Sequence, residues 1–260
     1  MADDFQGKFL KIGYTKRMEG TKSPGGRPYI GRKGIGKLAL LSCAKKITVI
    51  SKTKGENYIG GVIDNSGLDK AIKDDLTPDK YPLGEWNLKT FGKYTRNHEK
   101  GTIIYFENIH DGIKNSLDFL KKIIALYFRF SLLDSSFNIY IDKEKITPNC
   151  LDDLASKTEF LWEINELRDL YIKNLKNKFK PKEEKRLKVN MKIKGFIASV
   201  ETPKDLKIRS TDERVGVDLF VNGRLRERDI LKHIPTARVT ESYLYGQIHF
   251  DGLDDKEDRF

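Results

Sequence analysis

GRKGIGKLALLSCAKKITVIS, Gly31 to Ser51, is the stretch on which the reading of the fold turns. Its first eight residues fit the phosphate-loop pattern G-x-x-x-x-G-K-[ST] until the last position, where Leu38 replaces the hydroxyl residue. A P-loop needs that hydroxyl for Mg²⁺ and a buried strand directly before the loop. Here the preceding residues, 20–36, form a Gly/Pro-rich loop without apolar period, so both requirements fail. The spacing Gly31, Gly34, Gly36 is also the reverse of a dinucleotide-binding fingerprint. What remains is general physics. Glycines let backbone approach an anion, and a helix start at KLALLSCA would turn free N–H groups toward it, with Arg32, Lys33 and Lys37 adding charge. A helix N-terminus with tight glycine packing explains the same residues equally well.

Working outward, Lys46–Ser51 (KITVIS) reads as a strand after a short buried helix over Lys37–Ala44. Tyr58–Asp64, Glu85–Phe91 and Gly101–Asn108 read as further strands, the last apolar on both faces and therefore central. Leu117, Leu120, Ile124 and Tyr127 repeat at helical spacing, and Ser135–Asp142 reads as a strand. A first module thus closes near Pro148. In the second, Phe160, Ile164, Leu167, Tyr171 and Leu175 share one face of an expected helix. Leu187, Val189, Met191 and Ile193 alternate with polar residues as in a half-wet strand, and Gly216–Gly223 and Ser242–Phe250 add two more. The expectation is α+β for both modules, residues 1–150 and 151–260, with helices layered on mostly antiparallel sheets.

The chain carries a net charge of +11, unevenly placed. Residues 1–50 hold 11 Lys/Arg against 3 Asp/Glu, whereas residues 201–260 hold 11 against 13. A basic region beside a glycine-rich loop suits a polyanion. The run KNLKNKFKPKEEKRLK at 173–188 reads instead as a solvated surface. No apolar run is long enough for a membrane span, and the acidic N-terminus lacks the form of a signal peptide, so a cytoplasmic protein with no membrane partner is expected. Cys43 and Cys150 form neither a disulfide framework nor a metal cluster, and His98, His110, His233 and His249 show no ligand spacing. The acids Asp254, Asp255, Glu257 and Asp258 read as a solvated run. Arg224, Arg226 and Arg228 occupy alternate positions after a strand, either as contacts to a nucleic-acid backbone or as an exposed face.

The opening stretch resembles the second glycine box of the GHKL ATPases, the superfamily of gyrase B, heat-shock chaperones, histidine kinases and MutL, with the MORC proteins close by. KFLKIGYTKR (Lys8–Arg17) is similar to the segment after that family's first glycine box, HEKGTIIYFENI to the strand beneath its adenine, and GVDLFVNGRLRERD with IKGFIASVETPKDL to its transducer domain. The resemblance implies an incomplete Bergerat-type ATP-binding sandwich over 1–150, with a lid at about 14–36, and part of an S5-like α/β transducer domain over 151–260. It assigns ATP to Lys16, Gly31, Arg32, Lys33, Gly34, Ile35, Gly36, Lys37 and Thr102. It implies a nucleotide-driven switch acting on DNA in repair, chromatin or defence, and a homodimer through the lid. The family's general base, Mg²⁺ ligand and adenine-reading Asp have no counterpart here, so Mg²⁺ is expected only with a helix upstream of Met1, both ends read as cut, and hydrolysis by this chain alone is not expected. The alternative is a non-catalytic module that binds nucleic acid or protein and keeps the fold without ATP turnover.

Overall fold

A computed structural model describes residues 38–74, 80, 83–110, 116–208, 213–234 and 239–254, with isolated positions before residue 38. It divides into two compact units, Met1–Lys114 and Asn115–Phe260. The expected boundary near Pro148 differs from this division because the helix Leu117–Tyr127 buries Ala125 and Leu126 in the core of the second unit, against Leu151 and Leu154.

In the first unit a helical turn, Leu38–Leu41, leads into strand β1, Ala44–Lys52. β2 is Ile59–Asp64 and β3 is Gly101–Ile109; both pair antiparallel with β1 in the order β2-β1-β3. The β-branched run is what makes β1 the centre, since Ile47, Thr48, Val49 and Ile50 are all buried and both faces are covered. β3, expected to be central, is instead an edge among the described strands of this sheet, with Ile104, Tyr105 and Ile109 exposed. Glu85–Phe91 is not a strand. Asn87 accepts a hydrogen bond from the Lys89 N–H at 2.9 Å and caps the helical turn Leu88–Phe91, a local bond that a strand cannot satisfy.

In the second unit β4 (Tyr140–Ile141) and β5 (Glu144–Lys145) form a short hairpin, all that survives of the strand expected over Ser135–Asp142. The main sheet has six strands: β6 (Thr158–Ile164), β7 (Glu183–Leu187), β8 (Lys194–Val200), β9 (Val217–Val221), β10 (Arg224–Glu227) and β11 (Leu244–His249). Their order is β10-β9-β11-β8-β6-β7. The β9·β11 and β6·β7 pairs are parallel and the other three antiparallel, so the sheet is mixed. The helix expected from Phe160 to Leu175 resolves into β6 followed by helix only from Leu170 onward, an α-helix at Leu170–Asn174 that runs on as a π-helix at Leu175–Phe179. The expected strand over Leu187–Ile193 stops at Leu187, because the Asn165 side chain takes the backbone that a strand partner would need. Its amide donates to the carbonyls of Val189 (3.2 Å), Met191 (3.3 Å) and Ile193 (2.6 Å), and its oxygen accepts from the Val189 N–H.

The core beneath this sheet holds an ion pair. Arg129 is wholly buried and bonded to the Asp169 carboxylate, and its guanidinium also donates to the Ala125 carbonyl at 2.8 Å and lies 5.6 Å from the Tyr171 ring. Asp169 caps the helix at Leu170 by accepting from the Tyr171 N–H at 2.7 Å. The Asp169→Asn substitution keeps that cap but leaves Arg129 without a counter-charge, and should destabilise the second unit by about 3–5 kcal/mol. Urea unfolding followed at Trp162 in a Trp86→Phe background measures this.

Candidate nucleic-acid interface

β9 and β10 are joined by the two-residue turn Asn222-Gly223, both with positive φ (49° and 74°), as a type I′ hairpin requires. The turn is pinned from outside: the Asn222 N–H donates to Asp251 and its side-chain amide to Asp254, each at 2.6 Å. β10 is the edge of the sheet beyond β9, and it presents Arg224 and Arg226 exposed. Neither has an acidic partner among the described residues. Register explains why the third arginine behaves differently. Leu225 faces Phe220 and Glu227 faces Leu219, so Arg226 is the extra residue of a β-bulge. The bulge inverts the alternation and turns Arg228 to the side of Asp218 and Phe220. There its guanidinium donates to the Tyr127 hydroxyl and to Glu213, each at 2.8 Å, and sits 4.7 Å from the Tyr127 ring. Arg228 is therefore a structural anchor rather than a free surface charge, whereas Arg224 and Arg226 are exposed and make no such contact among the described residues. The sequence showed the arginines but not the bulge.

Behind the hairpin lies a polar stripe that sequence reading missed. Asp218 accepts from the Asp229 N–H at 2.9 Å, and burial pushes its carboxyl up to about 6 despite that bond and the nearby Arg228 charge. Asp229, in the left-handed region at φ 49°, reaches back to Arg214 at 3.2 Å and packs its other oxygen against Gly216, where a Cβ would come within 2.5 Å of it. On β11, Gln247 and His249 lie beside Asp218 and Phe220 in parallel register. His249 is buried and stacks on Phe220 with ring centroids 5.0 Å apart. Burial, aided by the Arg129 charge, lowers its pKa to about 4. The only hint in the sequence was the alternation of Asp218 and Phe220, and of Gln247 and His249, within otherwise apolar strands.

Lys16 and Gly31, Arg32, Lys33, Gly34, Ile35, Gly36 and Lys37 lie outside the described residues. Thr102 lies on β3 opposite Ser51, and the two hydroxyls are hydrogen-bonded at 3.0 Å across the strand pair. Its oxygen is thus engaged within the sheet. The described residues contain no group of three or more His, Cys, Asp or Glu able to hold a metal ion, and no helix among them is long and apolar enough to cross a membrane.

No protein-family model matches the chain. Over 264 residues, covering 98% of the chain, it is 29% identical to a Herpetosiphon aurantiacus protein described as "Putative type II restriction enzyme HgiDII". The aligned region is 40% of that protein's length, so the chain spans well under half of its relative. This likeness overturns the GHKL resemblance and with it ATP, with or without Mg²⁺, as the cofactor: the similarity runs across nearly the whole chain to a protein of another description. The architecture agrees only at the coarse level of a mixed α/β chain, a three-stranded and a six-stranded sheet with short helices, and nothing in it establishes a Bergerat-type sandwich.

The two buried titrating groups work against each other. Asp218 is an acid whose folded pKa, about 6, exceeds its ordinary 3.8. The folded state therefore keeps a proton that the unfolded chain has lost, and stability falls as pH rises through that interval. His249 is a base whose folded pKa, about 4, lies below its ordinary 6.5; there the unfolded chain binds the proton first, and stability falls as pH drops. The slopes largely cancel between about pH 4 and 6. Asp218→Asn should expose the histidine, with up to about 3 kcal/mol lost on acidification, and His249→Gln should expose the opposite slope. Urea midpoints across that range, for both variants and the parent, check the sign.

Proposed function

We propose that this chain is a DNA-contacting part of a restriction-type protein and that it grips duplex DNA through the β9–β10 hairpin. The observation that carries the reading is the similarity over 98% of the chain to a protein described as a restriction enzyme. The hairpin supports it: a rigid I′ turn, a bulged edge strand and two exposed arginines without acidic partners among the described residues are a suitable device for holding phosphates. Phosphate contacts of this kind position a protein on DNA without reading bases.

Hydrolysis of a phosphodiester at a metal site needs convergent carboxylates or histidines. The described residues do not provide that set, so no cleavage step is assigned to them. The reading is accordingly one of binding. It retains DNA as the partner and drops the nucleotide-driven switch.

Arg224→Ala and Arg226→Ala should each weaken duplex binding to a similar degree for unrelated sequences, and each should lower the slope of log affinity against log salt by about one. Arg228→Ala should instead act mainly on folding, through its Tyr127 and Glu213 contacts. Anisotropy titrations with two unrelated duplexes at several salt concentrations decide the matter. Unchanged slopes in both arginine variants would remove the hairpin from the interface.

A further inference from the structure

Most basic residues of the second unit near the β6–β7 edge are already paired. Lys176 meets Glu163 and Glu184, Arg186 meets Glu163, and Lys178, Lys182 and Lys185 meet Asp152, Glu159 and Glu183. The segment Trp86–Lys100 of the first unit is the reverse case. Lys89, Lys93, Arg96 and Lys100 are exposed, and none has an acidic partner among the described residues. They recur at spacings of four, three and four residues along the helical turn Leu88–Phe91, the 3₁₀ turn Gly92–Thr95 and the residues leading to β3.

Aromatic rings are interleaved with these charges. Tyr94 is 67% exposed, the most exposed aromatic side chain among the described residues, and the Lys93 ammonium lies 5.4 Å from its ring centroid. Nearby, Tyr58 bonds the His98 ring nitrogen at 2.8 Å, meets Trp86 edge-on and lies under the Lys52 ammonium at 5.0 Å. The segment is held rigidly enough to present such a surface. Gly92 (φ 46°), Asn97 (φ 62°) and Gly101 (φ 126°) take left-handed turns, Phe91 is buried, and the Arg96 and His98 N–H groups close turns on Lys93 and Thr95.

We infer that Trp86–Lys100 is a binding site for single-stranded nucleic acid, in which Tyr94 stacks on an unpaired base while Lys89, Lys93, Arg96 and Lys100 follow the phosphates. The aromatic ring is the reason for a single strand rather than a duplex. A duplex hides its base faces, and a lone exposed ring flanked by unpaired cations matches the π-face and charge that a single strand offers together. The inference rests on the reading of the chain as a DNA-contacting protein but uses residues separate from the hairpin arginines.

The test compares a fluorescein-labelled oligothymidylate with a duplex of equal length by anisotropy, using the full chain. Tyr94→Ala should weaken single-strand binding by about 5- to 100-fold, and Tyr94→Phe should bind like the parent. Duplex binding should change less than about two-fold, since a duplex offers no base face to stack. The double variant Lys93→Gln/Arg96→Gln should reduce the single-strand salt slope by about 1.4. Lys185→Gln, a paired lysine, should leave it unchanged. Tyr94 is exposed, so thermal melting should show Tyr94→Ala as stable as the parent. Parental single-strand affinity in Tyr94→Ala, or an equal loss on the duplex, overturns the site. If duplex binding still depends on Arg224 and Arg226, the hairpin reading survives that failure; no binding of either probe removes both.

Discussion

The second unit is organised around a charge that has no water. Arg129 and Asp169 are both buried, and taking two ions out of solvent costs several kcal/mol each unless their remaining hydrogen-bonding groups are met. Here most are met. Asp169 uses one oxygen for Arg129 and the other for the Tyr171 N–H, while Arg129 also finds the Ala125 carbonyl and the face of Tyr171. The pair therefore ties the end of the helix Leu117–Tyr127 to the start of the helix Leu170–Asn174. The Tyr171 hydroxyl meets the Tyr245 hydroxyl at 2.9 Å, and Tyr245 in turn meets Thr158, so the network continues into β11 and β6. Burial raises the pKa of both tyrosines, which keeps them neutral and able to donate. One oriented polar chain thus sets the register between helices and sheet.

Strands with a strong local signal were legible. Ala44–Lys52 and Val217–Val221 are dense in β-branched or aromatic residues, and their burial follows. Two of the misreadings share one cause, a side chain that claims backbone at a distance or against the local pattern. Asn87 converts Glu85–Phe91 from a strand to a capped turn, and Asn165 arrests the alternation that begins at Leu187. In Thr158–Ile164 the apolar spacing suited a helix. In the strand it is Leu161 and Glu163 that turn inward, because Lys176 and Arg186 neutralise the glutamate. No periodicity contains that information. The charges that make Glu163 tolerable are supplied by the run at 173–188, which reads in the sequence as a solvated surface.

The candidate interface was half visible. Asn222-Gly223 is among the strongest hairpin signals a sequence can carry, and the alternating arginines follow it directly. Alternation alone put all three on one face. The bulge at Arg226, set by which residues of β9 are opposed, separates Arg228 from the others and gives it to Tyr127. Glycine boxes are open to a different error. Glycine spacing and a following apolar helix are shared by every loop that approaches an anion or packs tightly, so GRKGIGKL resembled one family while the similarity across nearly all of the chain leads to another.

Net charge by itself says little about where a polyanion would bind, because a cation already matched by a neighbouring acid releases few counterions when a phosphate arrives. Around β6 and β7 five of the basic side chains, Lys176, Lys178, Lys182, Lys185 and Arg186, already meet a carboxylate. The hairpin arginines and the cations at 89–100 lack such partners among the described residues, and each group sits on backbone fixed by turns of left-handed geometry. Backbone order matters beside charge: a cation carried on fixed backbone adds no loop-ordering cost when it meets a phosphate, so more of the electrostatic gain reaches the binding free energy. At these positions, among the described residues, part of the chain's +11 is left unmatched by a neighbouring acid.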